Sequence, residues 1–140
     1  MGSVTTFDHT ADVGLEIRGD DLDDLFRTAA EGVFDYIVAN RNEVRVVVSE
    51  PVELRAETPA DLLATWLNEL ICRCETQHRL YSRFDVHVSA DGLRLEAEIG
   101  GESIDFERHV LDHEVKAVTH HGLELRKEGK GWVAEVILDI

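Results

Sequence analysis

Trp132-Val133-Ala134-Glu135-Val136-Ile137-Leu138-Asp139-Ile140 closes the sequence, and its two faces govern how the rest of the chain is arranged. Trp132, Ala134, Val136, Leu138 and Ile140 alternate onto one side, while Val133 and Ile137 share the other with Glu135 and Asp139. A strand that is apolar on most of both faces is a central strand, because only neighbours on each edge and cover on each face hide that much apolar surface. The last residues are therefore expected inside a sheet, tied down instead of frayed. Asp139 and the α-carboxylate of Ile140 then become fixed anions close together. Such a pair raises the proton affinity of both members unless a basic side chain or a hard divalent cation lies nearby.

Upstream of that strand the pattern has period two. Phe84, Val86, Val88 and Ala90 face one way, Asp91-Gly92 signals a hairpin turn, and Leu93, Leu95, Ala97 and Ile99 return before a break expected at Gly100-Gly101. Short strands are expected at 103–106, 115–119 and 123–126, with the loop Lys127-Glu128-Gly129-Lys130-Gly131 feeding the last one. The first half alternates between periods. Val4-Thr5-Thr6-Phe7 is β-branched and aromatic, and Val13, Leu15 and Ile17 alternate with Gly14, Glu16 and Arg18. The polar stretch His9-Thr10-Ala11-Asp12 reads as the loop between these two strands, where an Asp commonly hydrogen-bonds its own backbone.

Leu22, Leu25, Phe26, Ala29, Ala30, Val33, Phe34 and Ile37 form one helical stripe, predicting a helix over 21–38. Asp20 and Asp21 stand ready to cap it and Asp23-Asp24 suit its first turn, so the acidic cluster reads as helix chemistry before ligand chemistry. Val44 to Val48 and, beyond Pro51, Val52, Leu54 and Ala56 predict two strands, or one strand broken at the proline. A second helix starts with Thr58 as N-cap, Pro59 at the first position and Asp61 in the first turn. It buries Leu62, Leu63, Trp66, Leu67, Leu70, Ile71 and Cys74 and ends before Tyr81. Glu69 lies off that stripe, four residues before Arg73, at ion-pair spacing. The whole, residues 1–140, reads as one α+β domain: a mostly antiparallel sheet with two amphipathic helices.

The composition narrows the function classes. Fourteen basic against 29 acidic residues give a formal net charge of -15. Such a surface repels phosphate backbones, which excludes direct nucleic-acid binding by the chain and favours a basic protein partner or a cation. An acidic surface also suits a salty cytoplasm. No apolar run approaches the ~18 residues of a membrane span and the first residues lack a secretory pattern, so a cytoplasmic location is expected. Cys72 and Cys74, two apart on one helix, suit neither a relaxed disulfide nor a CxxC redox pair. No GxSxG or GxxxxGK[ST] motif occurs, and Gly100-Gly101, Gly129 and Gly131 read as turn glycines, so an enzyme is the weaker class. His109, His113, His120 and His121 do not form a recognised tetrahedral set with the cysteines.

Four separated motifs resemble those of the archease family, in order and over the whole chain: His9-Thr10-Ala11-Asp12-Val13-Gly14, Leu67-Asn68-Glu69-Leu70, Glu114-Val115-Lys116-Ala117-Val118-Thr119 and the terminal Val136-Ile137-Leu138-Asp139-Ile140. The resemblance implies a compact α+β fold and a non-catalytic partner of the RtcB-type tRNA-splicing RNA ligase, one that promotes the ligase's guanylylation with GTP and its repeated turnover. GTP would be met only through that partner. The resemblance also implies a divalent cation held by Asp12, Asp139 and Ile140, an all-oxygen set that suits calcium or magnesium better than zinc. It points to His9, Glu69 and Lys116 as functional or partner-contacting residues. The chain departs from the family in having His120-His121 where a tyrosine commonly follows the Lys-Ala-Val-Thr run. Two competing readings are a chaperone or modulator of nucleic-acid-modifying enzymes, and a small metal-dependent hydrolase using Asp12 and Asp139.

Overall fold

The computed structural model describes residues 2–9 and 12–140. Along the chain run β1 (Ser3–His9), β2 (Asp12–Gly19), α1 (Leu22–Ile37), a 3-10 turn (Arg41–Glu43), β3 (Val48–Arg55), α2 (Pro59–Gln77), β4 (Arg79–Val88), β5 (Arg94–Ser103), β6 (Ala117–Glu128) and β7 (Gly131–Asp139). Among the described residues these strands form two antiparallel sheets, ordered β1-β2-β7-β6 and β3-β5-β4. The fold is α+β, as the pattern of periods requires.

The last strand is central, between β2 and β6. Ala134, Val136 and Leu138 are buried on its inner face, and Val133 and Ile137 are buried on its outer one. Its register with β2 sets Leu15 opposite Val136 and Ile17 opposite Ala134. The inner face thereby joins a core built from both sheets and both helices.

Helix α1 starts one residue later and ends one earlier than the sequence pattern suggests. Its start is a reciprocal cap: the Asp24 N–H donates to Asp21 Oδ1 at 2.8 Å while Asp24 Oδ2 accepts the Asp20 N–H at 2.8 Å. Two otherwise orphaned donors are satisfied, which accounts for the acidic run without a ligand. The helix packs against β2 of one sheet and β4 of the other, with Phe34 edge-on to Tyr81 at 5.8 Å between ring centroids. In α2, Thr58 Oγ1 accepts the Asp61 N–H at 3.1 Å, and His78 closes the helix in the left-handed region at φ 54°. Fully buried Trp66 donates its indole N–H to the Phe26 carbonyl at 3.0 Å, joining the two helices.

Four expectations are corrected. Residues 44–47 form no strand; β3 begins at Val48 and runs through Pro51, which is tolerated because β3 is an edge and the missing N–H leaves no ladder bond unmade. Gly100-Gly101 is no break but lies inside β5, opposite the bulge at 81–83 in β4. A Cβ on Gly101 would meet the Leu80 carbonyl oxygen at 1.9 Å, so the glycine is required by close backbone approach and not by a turn. The strand expected at 103–106 is absent beyond Ser103, the last residue of β5. The strands expected at 115–119 and 123–126 are one strand, β6, with an irregularity between Thr119 and Glu124 around Gly122 at φ 72°.

Candidate functional site

The β1–β2 pair ends where His9 faces Asp12, and the β2–β7 pair ends where Asp12 faces Asp139. On the other side of β7, Ala117 of β6 faces the same Asp139. Directly opposed residues on antiparallel strands project to the same face, so Asp12 and Asp139 share the outer face of the sheet. One step inward along that face lies an apolar row, in which Phe7 faces Gly14 and Gly14 faces Ile137. The Phe7 ring lies over Gly14, occupying the space a Cβ would take. The acidic pair therefore sits at the rim of a sheet face, just beyond an apolar floor, with Asp139 exposed and Asp12 half-buried.

Like charges directly opposite on a sheet cost stability unless something positive relieves them. A pair of carboxylates fits a hard cation bound by oxygen donors and does not fit a soft, thiolate-preferring metal. Ile140 follows Asp139 at the strand's end and is 40% exposed. Among the described residues no three His, Cys, Asp or Glu side chains gather into a metal-binding group.

Lys116 lies one residue before β6 instead of within a strand. Its N–H donates to the Asp139 carbonyl at 2.8 Å, which fixes the Lys116 backbone beside the end of β7, and its side chain is exposed. Glu69 is drawn elsewhere: its Oε2 takes Arg73 Nε at 2.6 Å, and Arg73 also reaches the Pro51 carbonyl at 3.2 Å, tying α2 to β3. The His9 side chain, Thr10 and Ala11 lie outside the described residues. Three of the later histidines have separate surroundings: His113 stacks on Tyr36 at 4.1 Å, His120 stands 3.9 Å from Asp61, and His109 is buried. His109 Nδ1 accepts the Asp105 N–H at 2.9 Å, so its proton is on Nε2, directed at Glu102 Oε2 3.1 Å away.

One positioning residue is not among those the sequence pattern singles out. Asn68, next to Glu69 on α2, gives its Nδ2 to the Val118 carbonyl at 3.1 Å and takes the Val118 N–H on Oδ1 at 2.7 Å. Since β6 is an edge strand, these are backbone groups that no neighbouring strand serves. Asn68 thus stands in for a strand and pins the segment that carries Lys116 and Ala117 to the site.

A profile of the archease protein family (MTH1598/TM1083) matches residues 5–140. The chain belongs to the archease family. The archease of Pyrococcus abyssi (strain GE5 / Orsay) is 34% identical over 137 residues, covering 96% of each protein. The archease of Methanopyrus kandleri is 35% identical over 137 residues, covering 95% of this chain and 96% of its own. The solution structure of Methanobacterium thermoautotrophicum protein 1598 superposes with a TM-score of 0.79 at 34% identity, covering 98% of both chains. The crystal structure of the Thermotoga maritima archease TM1083, described as a possible chaperone, has the same fold at a TM-score of 0.66 and 17% identity, covering 97% of this chain and 96% of its own. In this archease-family chain, no helix among the described residues is long and apolar enough to cross a membrane.

Proposed function

We propose that the protein is a non-catalytic activator of an RtcB-type RNA ligase, promoting the ligase's GTP-dependent guanylylation in tRNA splicing and RNA repair. The observation that carries this reading is the facing of Asp12 and Asp139 across the ends of two central strands, at an exposed rim beside Lys116. Asp12, Asp139 and the Ile140 main-chain oxygen would hold a calcium or magnesium ion, which supplies positive charge for the phosphates of a nucleotide bound by the partner. Lys116 adds a mobile cation next to those phosphates. Asn68 holds the Lys116–Val118 segment in place while this happens. The net charge of -15 supports a role exercised on the ligase and not on RNA directly.

The test is covalent GMP transfer to the purified ligase with GTP, with and without this protein. Asp139→Asn and Asp12→Asn should each lower stimulation and calcium affinity by about tenfold or more, as expected when one charged donor is lost from so small a set. Both variants should keep the wild-type circular dichroism spectrum, since neither opens a core cavity. Full stimulation by either variant removes the acidic pair from the mechanism. Phosphate release from GTP by the isolated protein would instead identify a hydrolase.

A further inference from the structure

We infer that the groove at the C-terminal ends of α1 and α2 is the docking site for a basic amphipathic segment of a partner protein. The groove encloses about 380 Å³, inside the range of roughly 300–1,000 Å³ typical of binding pockets. Its floor is apolar: Ile37 from α1, Ile71 and Cys74 from α2, Leu80 from β4, and Ile104 and Val115 from the long connection between β5 and β6. Leu111, from the same connection, forms one wall and is 43% exposed, an apolar side chain left facing water at the edge of an apolar trough. Phe106 and Val110 on that connection are exposed too, at 79% and 57%.

Charge selects the occupant. The ionised groups lining the groove are Glu75, Asp112 and Glu114, with His78 and His113 beside them and neither Lys nor Arg. Apolar side chains flanked by Lys or Arg satisfy both floor and rim, as basic amphipathic helices do in apolar grooves. A second copy of this chain does not, because two molecules each carrying a formal charge of -15 repel and the same acidic rim would meet itself. The groove is also linked to the acidic pair. Val115 lines the groove, and the next residue, Lys116, donates its N–H to the Asp139 carbonyl at 2.8 Å. A partner seated here is held next to the rim where Asp12 and Asp139 face each other.

The probe is a short amphipathic peptide of leucine and lysine, titrated into the isotope-labelled full chain and followed by amide chemical shifts. Shift changes should concentrate at Cys74, His78, Ile104 and 111–115. Leu111→Glu separates docking from mere attraction between opposite charges. It adds negative charge, so diffuse electrostatic binding would strengthen, whereas seating in the groove should weaken by about tenfold, the scale of a lost apolar anchor. Leu111 is at the surface, and an unchanged amide spectrum away from the groove shows that the variant folds. The pair Glu75→Gln and Glu114→Gln leaves the floor intact and should weaken binding while flattening its dependence on salt. Peptide shifts scattered over the acidic surface, no binding by the wild-type protein, or equal or tighter binding by Leu111→Glu each overturns the inference.

Discussion

Asn68→Ala should cost far more than a half-buried polar side chain usually does, because the loss falls on the backbone of another element. The substitution removes two hydrogen bonds at once, 3.1 Å to the Val118 carbonyl and 2.7 Å from the Val118 N–H. Val118 is 3% exposed and lies on an edge strand, so no second strand takes over. Leaving a buried backbone donor or acceptor unpaired costs about 1–3 kcal/mol. Part of that is recovered as water enters the space the side chain leaves, so a total near 2–3 kcal/mol is expected. For a chain of this size that is a fall of about 8–12 °C in melting temperature. Asn68→Asp keeps the acceptor and loses the donor, and should fall between Asn68→Ala and wild type. Urea unfolding gives the energies, and hydrogen exchange at the Val118 amide gives the place. Loss of Val118 protection should accompany loss of ligase stimulation, since the same segment carries Lys116. An Asn68→Ala protein within about 0.5 kcal/mol of wild type, with Val118 still protected, would refute the idea that this side chain replaces a strand.

Two further outcomes test the buried chemistry. The Glu102 carboxyl is held at about 2, below its ordinary 4.5, chiefly by Arg108, with the Arg45 N–H and His109 adding to the effect against the cost of desolvation. A carboxyl lowered in the folded state stabilises fully above 4.5 and loses that contribution as pH falls toward 2. The urea midpoint of the wild type should therefore drop with pH across that window, and Glu102→Gln should drop less steeply; equal slopes would remove Glu102 from the acid response. Burial, with Glu75 nearby, pushes the Cys74 thiol up to about 11, whereas Cys72 is exposed. Iodoacetamide in mildly alkaline buffer should alkylate Cys72 well before Cys74, as read by peptide mass spectrometry, and the reverse order would contradict the burial of Cys74.

What the sequence revealed of the fold depended on whether a signal was local. Both helices were legible because each has a full apolar stripe and its own cap, Asp21 for α1 and Thr58 for α2, all within a few residues. The central place of β7 was legible because burial on two faces leaves a double apolar pattern. Gly100-Gly101 was misread because a glycine that ends a strand and a glycine that lets Leu80 approach look the same in one dimension. The break expected between Thr119 and Leu123 comes from Gly122, which bends β6 without ending it. The position of Asp139 at the end of a central strand was legible from the strand alone. Its facing with Asp12 is a contact across more than a hundred residues that only the resemblance supplied. The role of Asn68 was hidden because its partner is backbone, and backbone has no signature in sequence.

The register of β7 is where stability and the proposed chemistry meet. Successive residues alternate between faces, so Asp139 is on the outer face only while Leu138 and Val136 are on the inner one. A slip of one residue would turn Asp139 toward the core and exchange Ala134, Val136 and Leu138 with Val133 and Ile137 between faces, disrupting packing in which each buried aliphatic side chain contributes about 1.5–3 kcal/mol. The Asp12–Asp139 facing is thus enforced by core packing that outweighs the repulsion between two half-screened carboxylates, worth on the order of 1 kcal/mol at a sheet rim. The rim can therefore keep these two residues facing each other. Under the proposed reading a bound cation would relieve a repulsion the fold already tolerates, and removing either charge is compatible with an intact core. Loss of stimulation in a stable Asp139→Asn protein is for this reason the outcome that would tie the acidic pair to function instead of to folding.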